Sequence, residues 1–78
     1  MNVKSEIEEI LYKLGFSKEE LVSRDYSTIG IFDSITMAEL IMLVEERWNI
    51  EIDGEDIIPE NFSNLDSISK LVGKYIVQ

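Results

Sequence analysis

Apolar residues along the chain fall into three stripes with helical spacing. Val3, Ile7, Ile10, Leu11 and Leu14 recur three and four residues apart, which puts them on one face of a first helix. Ser5-Glu6-Ile7-Glu8 reads as a capping box at its start, with Asn2 as the cap of an earlier start. Gly15 suits a left-handed stop, after which Phe16 can fold back on the last turn. Ser17-Lys18-Glu19-Glu20 repeats the capping pattern, but only Leu21 and Val22 are there to be buried, so a turn or two of helix is expected. Met37, Leu40, Ile41, Val44 and Trp48 share the core face of a second main helix, which opens after Asp33 and stops near Asn49. Leu65, Ile68, Leu71, Val72, Tyr75 and Ile76 form the stripe of a last helix behind a Ser63-Asn64-Leu65-Asp66 cap. Gly73 inside that helix costs about 1 kcal/mol against alanine, which points to close packing there.

The connections are less regular. No period holds from Ser23 to Asp33, so Tyr26, Ile29, Ile31 and Phe32 are expected to pin a long loop to the core, with Phe32 stapled against Met37. Ile50 and Ile52 alternate with Glu51 and Asp53, but two apolar positions without a partner strand make a loop rather than a sheet. Asp53-Gly54 turns the chain, and Glu55 to Asn61 is expected to hold a short helix interrupted by Pro59. The fold class that follows is all-α: three substantial helices, a small fourth, and long connections on either side of the second main helix. Residues 1–78 read as a single domain, and a chain of this size buries only about 60% of its unfolded surface.

Composition removes most chemistries. The chain has no cysteine and no histidine, hence no disulfide, no thiolate zinc site, no catalytic thiol and no Ser-His-acid triad. None of its lysines is spaced to activate a serine, and a chain so small offers no walled cleft for a carboxylate pair. A calcium loop starting at Asp53 fails because Ile57 and Ile58 would stand where an oxygen ligand and a glycine are required. No apolar run approaches the ~20 residues of a membrane span, and the first residues are not a signal peptide, so a cytoplasmic protein is expected.

Charge is concentrated. Sixteen acids face seven bases, and between Asp33 and Glu60 nine acids are opposed only by Arg47, giving that window 1 − 9 = −8 of the net −9. Such a surface repels nucleic acid and suits partners with basic patches. Within the window a second stripe on the central helix, Ile35, Ala38 and Met42, is interleaved with Glu39, Glu45 and Glu46. Were this stripe a broadening of the core, the acids beside it would be dragged into apolar surroundings at a cost. An exposed apolar strip edged with charge is better suited to docking a partner. Ser34 stands at the start of the same helix beside a capping Asp33. There a serine can serve only to start the helix, but the unpaired amides and positive dipole end also favour an attached phosphate.

Gly30-Ile31-Phe32-Asp33-Ser34-Ile35, followed by Glu39-Leu40-Ile41-Met42 and Val44-Glu45-Glu46-Arg47-Trp48, resembles the acyl and peptidyl carrier protein family. Ile50-Glu51-Ile52, Pro59-Glu60-Asn61-Phe62 and the closing helix extend the resemblance over nearly the whole chain. It implies an all-α four-helix bundle of acyl-carrier type, with three main helices, a short third helix and a long first loop, that is not an enzyme. It also implies a 4′-phosphopantetheine arm attached covalently to Ser34, with Asp33 helping to present that serine. The arm carries acyl or aminoacyl groups as thioesters. Ile35, Ala38, Glu39, Met42, Glu45 and Glu46 then become the partner-facing side. The implied partners are a phosphopantetheinyl transferase, a loading enzyme (adenylation or acyltransferase) and downstream synthase or transferase enzymes, met by a monomer.

Fatty-acid carriers usually read Leu-Gly-Ala-Asp-Ser-Leu. Gly30-Ile31-Phe32 ahead of Asp33-Ser34 is closer to D-alanyl carriers and to stand-alone carriers of polyketide or nonribosomal peptide pathways. Asp66-Ser67-Ile68 repeats the attachment tripeptide, but it lies in the first turn of the last helix without the preceding Gly-apolar-apolar run, so Ser67 reads as a capping-region serine. The alternative from another class is an unmodified helical module that docks a protein through the same acidic-apolar face.

Overall fold

A computed structural model describes residues 2–22, 25–26 and 33–76, and all regular structure among them is helical. The order is α1 (Val3–Lys13), α2 (Lys18–Leu21), α3 (Ser34–Trp48) and α4 (Leu65–Ile76), with 3-10 turns at Gly54–Asp56 and Pro59–Phe62 between the last two. The short helix expected between Glu55 and Asn61 is therefore a pair of 3-10 turns. Pro59 begins the second, where its missing N–H costs nothing.

The ends of the helices show which sequence signals the backbone uses. Asn2, not Ser5, caps α1: its side chain accepts from the Lys4 amide at 2.9 Å, and the helix starts before the Ser5 box. At the other end Gly15 takes φ 104°. The Gly15 amide donates to the Tyr12 carbonyl at 3.0 Å and the Phe16 amide to the Leu11 carbonyl at 3.1 Å, the two bonds of a left-handed stop. The Ser17 box forms in both directions, with Ser17 and Glu20 each receiving the other's amide. α4 is capped by Asn64 rather than Ser63, since Asn64 Oδ1 accepts from the Ser67 amide at 2.9 Å and the Asn64 carbonyl from Ile68. Asparagine holds its acceptor on a rigid amide, and one residue's shift lets the Ser63 hydroxyl donate to the Glu60 carbonyl instead.

α1 packs along α4 and against α3, and the Pro59–Phe62 turn packs against α4. The core is Ile7, Ile10 and Leu11 of α1, Leu40 and Val44 of α3, and Ile68, Leu71 and Val72 of α4, closed by Leu21, Tyr26, Ile52 and Phe62. Each stripe thus delivers its central residues to one cluster. Met37, Ile41 and Trp48 pack at its margin, and so does Leu43, which belongs to neither stripe of the central helix. Gly73 does not mark a close approach, because a Cβ placed there would meet no atom within 4 Å.

Polar ties fix α3 relative to its neighbours. Arg47 Nε donates to Glu6 Oε1 of α1 at 2.7 Å, and the same guanidinium closes on that oxygen through Nη2. Tyr26, between α2 and α3, is fully buried. Its amide donates to the Ser63 carbonyl at 2.6 Å and its hydroxyl to the Leu21 carbonyl at 2.6 Å. Ile29, Ile31 and Phe32, and with them the Phe32–Met37 staple, lie outside the described residues.

Candidate functional site

Asp33 sits in extended backbone at the N-cap of α3. Its carboxylate accepts from the Ile35 amide at 2.9 Å and the Thr36 amide at 3.4 Å, and its carbonyl from Met37 at 2.8 Å. Ser34 is the first helical residue and is exposed. No side chain among the described residues hydrogen-bonds its hydroxyl. The Asp33 carboxylate has already taken two of the free amides, so what an attached phosphodiester gains there is the dipole end, typically about 0.3–1 kcal/mol. Ser34 thus stands as an exposed residue on a capped helix start, a geometry compatible with a phosphate-linked arm.

From Ser34 one exposed strip runs along α3. Ile35 is 70% exposed and Met42 51% exposed, so two large apolar side chains of the strip face outward together. Ala38, Glu39 and Glu46 are exposed beside them. Glu45 differs: it is half-buried, and its Oε2 accepts from the Ile52 amide at 2.9 Å, tying α3 to the chain that follows it. The strip carries no free cation of its own, because Arg47 turns to Glu6.

Ser67 presents the contrast. Its amide is taken by Asn64, its hydroxyl lies 3.2 Å from Ser63 Oγ, and the following Ile68 is fully buried. The two Asp-Ser-Ile tripeptides therefore occupy opposite environments.

Sequence reasoning missed a polar cluster at the far end of α4. Tyr75, read as a stripe residue, donates its hydroxyl to Asp56 Oδ2 and accepts from the Asp53 amide at 3.0 Å, while Lys74 Nζ lies 3.2 Å from the same Asp56 oxygen. The hydrogen bond from Tyr75, helped by Lys74, holds the Asp56 carboxyl below its ordinary range, and the bond to Asp56 raises the Tyr75 phenol. The signal was the residue type, since a tyrosine at the margin of a core brings a hydroxyl that seeks a partner. An open pocket beside it is lined by Glu45, Glu51, Ile52, Asp53, Asp56 and Tyr75. Among the described residues no three acidic side chains are grouped so as to hold a metal ion.

A small helical scaffold that displays one serine at the mouth of an acidic, partly apolar helix is the architecture of a carrier. The family model for the phosphopantetheine attachment site matches residues 3–72, and the chain belongs to that phosphopantetheine-binding carrier family. It is 31% identical over 77 residues to an acyl carrier protein of Buchnera aphidicola subsp. Baizongia pistaciae, covering 96% of each chain. No solved structure matches it. Family membership makes the chain a non-catalytic carrier of a covalently attached 4′-phosphopantetheine arm, served by a phosphopantetheinyl transferase and synthase enzymes. No helix among the described residues is long and apolar enough to cross a membrane.

Proposed function

We propose that Ser34 bears the arm and that residues 1–78 act as one carrier domain, a monomer of the cytoplasm, loaded in a polyketide, nonribosomal peptide or related pathway. The observation that carries the assignment is the exposed Ser34 at the capped start of α3. When attached, 4′-phosphopantetheine supplies a terminal thiol on which acyl or aminoacyl cargo travels as a thioester. The chain's own residues do the rest. Asp33 fixes the first turn, so that Ser34 meets the transferase in one orientation. Ile35, Ala38 and Met42 give a partner an apolar footing, and Glu39 and Glu46 steer its basic rim. Glu45 joins that face through its charge while holding the Ile52 amide. Gly30-Ile31-Phe32 favours a D-alanyl or stand-alone biosynthetic carrier over a fatty-acid one. Tethering raises cargo concentration at each partner site without tight docking, which suits a shuttle that must leave again.

Co-expression with a phosphopantetheinyl transferase followed by intact-mass measurement tests the attachment point. Wild type and Ser67→Ala gain the mass of one phosphopantetheine, and Ser34→Ala gains none. Modification that persists in Ser34→Ala overturns the assignment. A wild type that never gains mass favours the unmodified docking module.

A further inference from the structure

The connection between α3 and α4 is fastened in an uneven way. Ile52 and Phe62 are buried, yet from Asp53 to Asn61 no residue is buried. Hydrogen bonds inside this segment are local: Asp56 and Ile57 amides reach back to Asp53 and Gly54, the Asn61 side chain to the Asp56 carbonyl, and the Asn61 amide to Ile58. Its polar ties to the helices run to the end of α4, where Tyr75 engages both the Asp53 amide and the Asp56 carboxylate and Lys74 pairs with the latter. Ile57 packs at the margin of the core, but Ile58 is exposed.

We propose that residues 53–61 form a strap that opens as one unit about its two apolar pins, Ile52 and Phe62, and that the Tyr75–Asp56 contact is the latch that keeps it shut. A segment with little buried apolar area opens at low free energy independently of the core, and the few contacts that hold it set how often it does so. Tyr75 bonds to two points three residues apart on the strap, so its hydroxyl holds the turn and the rest of the segment together. Glu45 anchors the preceding Ile52 amide from α3 and stays in place when the strap lifts. The proposal stands on these contacts alone and does not depend on where the arm is attached.

Hydrogen–deuterium exchange on the full chain, resolved to single amides by NMR, tests it. In Tyr75→Phe the Asp56, Ile57, Ile58 and Asn61 amides should exchange about tenfold faster than in wild type, as expected for loss of a hydrogen bond to a charged group. Amides of α1 and α3 should keep their wild-type rates. Asp56→Ala removes the latch from the strap's own side, leaves every helix residue in place, and should give the same pattern. The double variant should exchange clearly less fast than the product of the two single effects, because the variants share the Tyr75–Asp56 contact while each also removes a second one, from the Asp53 amide or from Lys74. Unchanged strap rates in Asp56→Ala, an increase shared equally by α1, or multiplying effects in the double variant would each overturn the latch.

Discussion

Individual side chains decide where this small core tolerates polar atoms. Tyr26 is the largest fully buried residue, and its phenol is pushed up to about 12 by burial and then by the nearby charges of Glu8 and Asp66. A folded pKa above the ordinary 10.0 means that the protonated form is favoured by the fold. The resulting stability is fully present below pH 10 and is lost as pH rises toward 12. A shift of about two units corresponds to roughly 2–3 kcal/mol. The melting temperature of the wild type should therefore fall steeply between pH 10 and 12, whereas Tyr26→Phe, less stable at neutral pH, should show a shallower fall. Equal slopes in a thermal series read by circular dichroism would remove Tyr26 as the cause.

At the scale of the elements, two glycines have opposite roles. Gly15 holds φ 104° in the stop of α1, so Gly15→Ala should cost about 1 kcal/mol or more. Gly73 lies within α4 with open space around its Cα, so Gly73→Ala should stabilise by about 1 kcal/mol. Chemical denaturation of the two variants should move their midpoints in opposite directions, and a destabilised Gly73→Ala would refute the assignment. Sequence suggested close packing at Gly73 because a helix-interior glycine usually has a reason; spacing alone cannot show whether a neighbouring atom is near. Stripes such as Leu40 and Val44 or Ile68 and Val72 were legible because helix geometry is local. Caps were legible only to within about a turn: Ser5 yields to Asn2, three residues earlier, and Ser63 to Asn64, since nearby polar side chains compete for the same amides. The Glu45–Ile52 and Tyr75–Asp56 contacts join residues 7 and 19 apart through a loop, and no periodicity encodes them. The exposure of Ser34, Ile35 and Met42 was legible because a capped helix start and a surplus apolar stripe both leave marks in the sequence.

Over the whole molecule, charge is the dominant long-range term. The window from Asp33 to Glu60 carries −8, and its one cation is turned toward Glu6. Self-repulsion of this kind is screened within about 10 Å at 0.1 M salt. Raising sodium chloride from a few millimolar to about 0.2 M should raise the melting temperature, with roughly 4–8 °C for each kcal/mol of repulsion relieved in a domain of this size. Magnesium should do the same at lower concentration. A flat or falling melting temperature would show that the acids are already compensated.

The two Asp-Ser-Ile tripeptides carry a last consequence. Three letters cannot tell residues 33–35 from residues 66–68, yet in relief they differ: Ile35 stands out on the surface and Ile68 is fully enclosed. With Ser34 as the attachment point, the address that a transferase reads is written in shape, and it becomes legible only once the bundle has formed. An unfolded chain offers the tripeptide twice, whereas the folded one displays its isoleucine at the surface only once. Priming would then double as a checkpoint, loading only those copies whose core is already complete.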